Sequence, residues 1–168
     1  MSATVRAFLK SSLAWLALGV TLGVAMAAHP AWTLYRLAHV HMMLLGFVAM
    51  MIFGVGYHVI PNFAGFPLHR PAAARIHWWM ANIGLAMMVS GFILRVHAPT
   101  VGTLILAIGG TLSAVGAYLF VYLIWRTIDG PANLRAGAQR ARTAMEQGRT
   151  GRRPLPLAPT SRGTPPAA

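Results

Sequence analysis

Leu37 through Ile60 read LAHVHMMLLGFVAMMIFGVGYHVI, an apolar run with no Asp, Glu, Lys or Arg. The hydrocarbon core of a bilayer is about 30 Å thick, and a helix needs about 20 apolar residues to cross it. This run is therefore long enough to span a membrane. Three other stretches qualify, roughly Ala7–Ala28, Ile76–Leu94 and Val101–Trp125. Pro30, Pro61 and Pro99 fall at the ends of these runs, where a missing N–H does least harm. Gly recurs inside them, as expected where helices approach closely. The expected fold class is all-α: a transmembrane four-helix bundle over residues 1–128, followed by a basic tail over 129–168.

Composition supports a membrane protein and excludes several chemistries. Of 168 residues 57% are hydrophobic and 10% charged, against about 25% charged in a soluble domain. Fourteen Lys and Arg face two acids, for a net charge of +12. Both acids, Asp129 and Glu146, lie in the last quarter of the chain. The body thus has no paired carboxylates for hydrolysis, no acid for a Ser-His-Asp triad and no carboxylate cage for Mg or Ca. There is no Cys, which removes disulfides, thiolate catalysis, iron–sulfur clusters and Cys-based zinc sites. Seven His and ten Met remain as metal ligands.

Basic residues set the expected orientation. Arg6, Lys10, Arg70, Arg75, Arg126 and the tail arginines share one side, and only Arg36 and Arg95 lie on the other. Both termini are expected in the cytoplasm, with the protein multi-pass in a bacterial inner membrane. Arg6, Lys10 and the following apolar run ending at Ala25-Met26-Ala27 also fit a cleaved secretory signal, although the run is long for one. The tail, rich in Arg, Pro, Gly and Ala, reads as mostly disordered, with a short basic helix over 131–147. Its arginines suit anionic lipid on the cytoplasmic leaflet better than nucleic acid.

The second span carries histidines at depth, where ionisable groups are costly and usually functional. Two residues along a helix turn about 200°, so His39 and His41 point to nearly opposite faces. They cannot chelate one metal together, but they can supply one ligand to each of two neighbouring sites. A neutral imidazole is a good axial ligand for haem iron. Gly46 returns to the face of His39 within about 20° and gives room for a ring edge or another helix. Arg36 is placed to pair with haem propionates at the outer surface. The bland alternative is a pair of headgroup-level histidines bonded to water or carbonyls. His97, on the same side, is the candidate third ligand, so the candidate metal set is His39, His41 and His97. His58, His69 and His77 read as wetted side chains at the cytoplasmic rim. Trp78 and Trp79 read as an aromatic belt, and the methionines as adaptable packing.

Arg36-x-x-His39, opening an inward-running second helix, resembles the start of the second helix of haem–copper oxidase subunit I, with the cbb3-type oxidases and nitric oxide reductases as the nearest branches. His39-x-His41 with Gly46 also resembles that family's late H-x-H helix. There, one His serves a low-spin haem and the other a high-spin haem. Ala38 through Arg95 is similar to short stand-alone proteins of the cytochrome c oxidase subunit I-like kind. The resemblance implies haem b as cofactor, with copper a further possibility, and a cytochrome or quinol as electron donor. Subunit I of the family has twelve helices in three four-helix arcs, whereas this chain has one arc. The family's paired copper-site histidines, its His-Pro-Glu motif and any carboxylate for a proton path are absent. Three copies in a cyclic homotrimer would rebuild the ring, with His39 of one subunit facing His41 of the next.

Three functions are carried forward. The first is a haem b membrane protein in respiratory electron transfer. The second is a component of a terminal oxidase or nitric oxide reductase with a second metal; the catalytic residues of such an oxidoreductase are not identified by the residues. The third is a non-catalytic module handling haem or copper. Orientation is directly testable because the chain has no native Cys. Thr33→Cys should react with a membrane-impermeant maleimide on intact cells, and Ala141→Cys only after lysis. The reverse pattern would invert the topology.

Overall fold

The computed structural model describes residues 1–150. Four helices are long and apolar enough to cross a membrane: Ala3–Ala28 (α1), Pro30–Ala64 (α2), Pro71–His97 (α3) and Pro99–Asp129 (α4). A fifth, Ala132–Thr150 (α5), follows. By its internal contacts the chain divides between Pro131 and Ala132. Among the described residues there is no strand, so the all-α, four-span expectation holds. The basic helix read over 131–147 is present as α5; the remainder of the tail, 151–168, lies outside the described residues.

Local chemistry explains the helix ends. The Ser2 hydroxyl accepts from the Val5 N–H at 3.3 Å and caps α1. Pro30, Pro71 and Pro99 each occupy the first turn of a helix, where their absent N–H is not needed. Pro61 differs from the sequence reading: it lies inside α2, which continues to Ala64 and ends at Gly65 with φ 71°. A proline so near the end forfeits a single ladder bond in the last turn, so the helix survives it. Arg70 is the exception to backbone comfort, a non-glycine residue at φ 50° immediately before Pro71. Such a conformation costs on the order of 1–2 kcal/mol.

α2 is not uniform. A 3₁₀ turn (Pro30–Tyr35) leads into an α segment (Arg36–His41), a π-helical stretch (Met42–Ala49) and a second α segment (Met50–Ala64). Wide π turns inside helices are uncommon and concentrate at functional sites. Here the wide turn begins directly after His41.

The tightest packing joins α3 to α4, which are connected through Ala98 alone. Glycines repeat every seven residues on α4 at 102, 109 and 116, and on α3 at 84 and 91. A Cβ added at Gly84 would stand 2.9 Å from the Gly109 carbonyl oxygen, and one at Gly109 would stand 2.7 Å from the Met88 nitrogen. At Gly91 it would meet the Leu106 backbone nitrogen at 2.7 Å, and at Gly102 the Arg95 backbone. Backbones this close maximise dispersion contact, the main source of helix association in lipid.

α1 is held to α3 by polar links. The Trp78 Nε1–H donates to Ser11 Oγ at 3.0 Å, and the Trp15 Nε1–H to Asn82 Oδ1 at 3.3 Å. Interhelical hydrogen bonds in membranes average about 0.6 kcal/mol, so these align helices more than they bind them. Trp78 is half-buried and so corrects the belt reading: its indole reaches across to α1. Trp79, 55% exposed, is free to serve as a belt residue. The core gathers Phe8, Met50, Leu85 and Leu123, while Leu104, Ile108, Val115 and Trp125 of α4 face outward, as lipid contact requires.

The seam makes a sharp prediction. Gly109→Leu should lower stability in detergent by about 1–3 kcal/mol through overpacking. Gly110→Leu, where an added Cβ meets nothing within 4 Å, should leave the melting temperature unchanged. Equal effects of the two would show that the close approach is unimportant.

Candidate functional site

His39 and His41 leave α2 toward different neighbours, as the spacing requires. The His39 Nδ1–H donates to the Gly19 carbonyl of α1 at 2.9 Å, and its ring lies over Gly23, where an added Cβ would come within 2.9 Å of Cε1. The His41 Nδ1–H donates to the Leu37 carbonyl, one turn back, at 2.7 Å. Its ring packs on Phe92 of α3, centroids 4.5 Å apart and 39° between planes. A carbonyl oxygen only accepts, so Nδ1 carries the proton in both rings. In the neutral imidazole Nε2 is then a lone-pair donor. Metal-bound histidines are commonly oriented by such a bond through the other nitrogen. Both rings are half-buried, and neither Nε2 is among the buried atoms without a partner. Neither Nε2 is therefore sealed inside the bundle without a partner.

The other sequence candidates fall into place around this pair. Arg36 is exposed at the start of the α-helical segment. Gly46 is buried, and an added Cβ there would meet Trp15 of α1 at 2.6 Å and Leu85 of α3 at 2.9 Å. Of its two readings, helix packing is the one these contacts show. His97 accepts or donates a 3.0 Å hydrogen bond between its Nε2 and the Tyr35 hydroxyl. Tyr35 in turn meets Trp32, and Trp32 meets His29, at centroid distances of 6.3 and 5.6 Å. The structure thus draws His97 into an aromatic cluster joining the start of α2 to the end of α3. Among the described residues no three His or carboxylate side chains gather as a metal group. His39, His41 and His97 do not form one within a single chain.

The structure overturns the rim reading of His77. Its side chain is 0% exposed, ringed by Phe8, Phe53 and Phe120 at centroid distances of 5.0, 4.7 and 5.8 Å. Nδ1 shares a 2.9 Å hydrogen bond with the Tyr57 hydroxyl, and Nε2 is buried without a partner. Gly116 of α4 leaves the space beside it, 3.3 Å from an added Cβ to Cδ2. The available clue was spacing: Tyr57 lies on the same span as His39, one of its few polar residues, and Gly116 extends the seven-residue glycine series. His58 is exposed, as the rim reading expects, whereas His69 is half-buried with its Nε2 shut off from solvent.

These residues can offer two imidazole lone pairs, one from a ring packed against α1 and one from a ring packed against α3. No protein-family model matches the chain. It is 29% identical over 164 aligned positions to the cbb3-type cytochrome c oxidase subunit CcoN1 of Stutzerimonas stutzeri, a match covering 79% of this chain and 35% of that protein. It is 25% identical over 122 positions to cytochrome c oxidase subunit 1 of Rhodobacter capsulatus, covering 58% of this chain and 23% of that protein. The chain therefore spans about a third or less of the length of the curated relatives it matches. The similarity supports a respiratory-oxidase-like membrane protein.

The buried pair yields its own prediction. Tyr57→Phe would strip His77 of its one partner and leave both ring nitrogens buried without a hydrogen bond, at a cost of about 1–3 kcal/mol. Unfolding in mixed micelles measures this, and an unchanged midpoint would mean that water already serves the imidazole.

Proposed function

We propose that this chain is a membrane haem b protein of the haem–copper oxidase type, working in respiratory electron transfer. The observation that carries the reading is the shared state of His39 and His41. Each has Nδ1–H bonded to a backbone carbonyl, which leaves Nε2 with its lone pair, and each turns to its own side of α2, His39 toward α1 and His41 toward α3. The partial similarity to oxidase subunits supports it. Haem, when bound, supplies one-electron redox chemistry at iron. The protein's part is to hold ligand geometry: the Gly19 and Leu37 carbonyls fix the tautomers, and Gly23 and Phe92 fix the ring planes. Arg36 is placed to meet carboxylate groups at the same end of the helix.

The two rings diverge on α2, and no three ligating side chains gather among the described residues, so in this reading the second ligand comes from another copy. His39 of one subunit and His41 of the next would then share one haem across each junction of a homotrimer, in a ring that needs three arcs. Held by His39 and His41 together, the haem would supply electron transfer rather than oxygen chemistry. In this reading the site lies at the outer face, the termini are cytoplasmic and the membrane is the bacterial inner membrane. An oxidase or nitric oxide reductase role needs a second metal. His97 is the candidate for it, and with Nε2 bonded to Tyr35 its Nδ1 is the nitrogen left to offer.

A pyridine haemochrome assay and visible spectrum of the purified protein test the proposal. A split low-spin signal without carbon monoxide binding is expected. His39→Ala and His41→Ala should each abolish haem retention while insertion persists, and His69→Ala should not change the spectrum. Full occupancy in His39→Ala would defeat the ligand assignment, and a haem-loaded monomer by light scattering would defeat the trimer.

A further inference from the structure

The connection between α2 and α3 meets the end of α4 in a manner the haem reading does not use. The His69 backbone N–H donates to Thr127 Oγ1 at 2.9 Å, and the Thr127 hydroxyl donates to the Leu123 carbonyl at 2.7 Å. Thr127 is buried, so this clamp is shielded from competition by water. Phe66 fills the space beside Gly130, where φ is 66° and an added Cβ would clash with the ring. The His69 ring lies edge-on to Tyr122, centroids 5.8 Å apart. The loop is thereby pinned to α4 at two points, and the pinning brings His69, Arg70 and Arg126 to one cleft of about 260 Å³.

Three features of this cleft name a ligand. Its charged side chains are all basic, and no carboxylate lines it. His69 lines the cleft, and its Nε2 is buried without a hydrogen-bond partner. Arg70 adopts a left-handed backbone conformation that an arginine rarely takes. The depth fits a headgroup. α4 has 31 residues, about 46 Å at 1.5 Å per residue, so its last turn lies beyond a hydrocarbon core of about 30 Å. Tyr122 and Trp125, 48% and 67% exposed, stand next to Arg126 as interfacial aromatics do.

We propose that His69, Arg70 and Arg126 form a binding site for a phosphate group, occupied in the membrane by the headgroup phosphate of an anionic phospholipid. Two guanidinium groups supply forked donors suited to phosphate oxygens, and the imidazole supplies a third contact. The net positive charge selects an anionic headgroup over a zwitterionic one. The site lies at the opposite end of the bundle from His39 and His41 and stands independently of haem binding.

Native mass spectrometry of the full chain in neutral detergent tests this, with dioleoyl phosphatidylglycerol, dioleoyl phosphatidylcholine and inorganic phosphate as probes. The wild type should retain phosphatidylglycerol over phosphatidylcholine. Arg126→Gln and Arg70→Gly should each reduce retention about five-fold. Glycine accepts the φ of Arg70 without strain, so Arg70→Gly removes the charge while favouring the fold. Arg140→Gln with Arg142→Gln, on α5, should reduce retention less than either single variant, because the tail arginines meet anionic lipid only by diffuse attraction. Arginine-dependent binding of inorganic phosphate with no lipid preference would keep the phosphate site and make its ligand a soluble one. Equal retention by the wild type, Arg126→Gln and Arg70→Gly, or a loss confined to the α5 variant, would overturn the site.

Discussion

An imidazole in a bilayer has two nitrogens and no water to satisfy them. Hydrocarbon offers no hydrogen bonds, so each nitrogen either finds a protein partner or waits for a ligand. Four histidines of this bundle meet that constraint in the same partial way. His39 and His41 bond through Nδ1 to backbone carbonyls, His97 through Nε2 to Tyr35, and His77 through Nδ1 to Tyr57. In each, the chain serves one nitrogen and leaves the other. What distinguishes them is where the second nitrogen lies. For His77 it is buried among aromatic rings. For His39, His41 and the exposed His97 it is not sealed in the core, and the first two sit one residue apart on opposite sides of α2.

That arrangement depends on helices held at fixed distances. The α3–α4 hairpin is set by glycine against backbone, an approach that admits no side chain between the helices. α1 sits differently, joined by the Trp15–Asn82 and Trp78–Ser11 bonds and by Phe8 in the core. The π segment of α2 begins directly after the histidine pair and contains Gly46. It feeds Gly46 against Trp15 and Leu85 while His39 remains over Gly19 and Gly23. The oxidase-like sequence similarity covers part of the chain and about a third or less of each relative.

Much of the candidate site was legible because helix geometry is local. The H-x-H spacing implies opposite directions, and the neighbours found, α1 for His39 and α3 for His41, bear out the direction argument. Their bonding was not legible, because Gly19 is twenty residues away and its carbonyl is no sequence feature. His77 was misjudged for the same reason. A histidine near the start of a span looks interfacial until the helices on every side are known. Trp78 looked like a belt residue, and only the placement of Ser11 shows its indole turned inward.

By itself, the sequence determined the four spans, the lack of carboxylate and thiol chemistry in the body, and the divergence of His39 and His41, since each follows from length, composition or the pitch of one helix. Tertiary structure alone decided that His97 pairs with Tyr35, that His77 is buried against Tyr57, and that His69, Arg70 and Arg126 share a cleft. These are contacts between residues far apart in the chain. They arise from how close two helices can come, which depends on every side chain between them and on no single stretch of sequence.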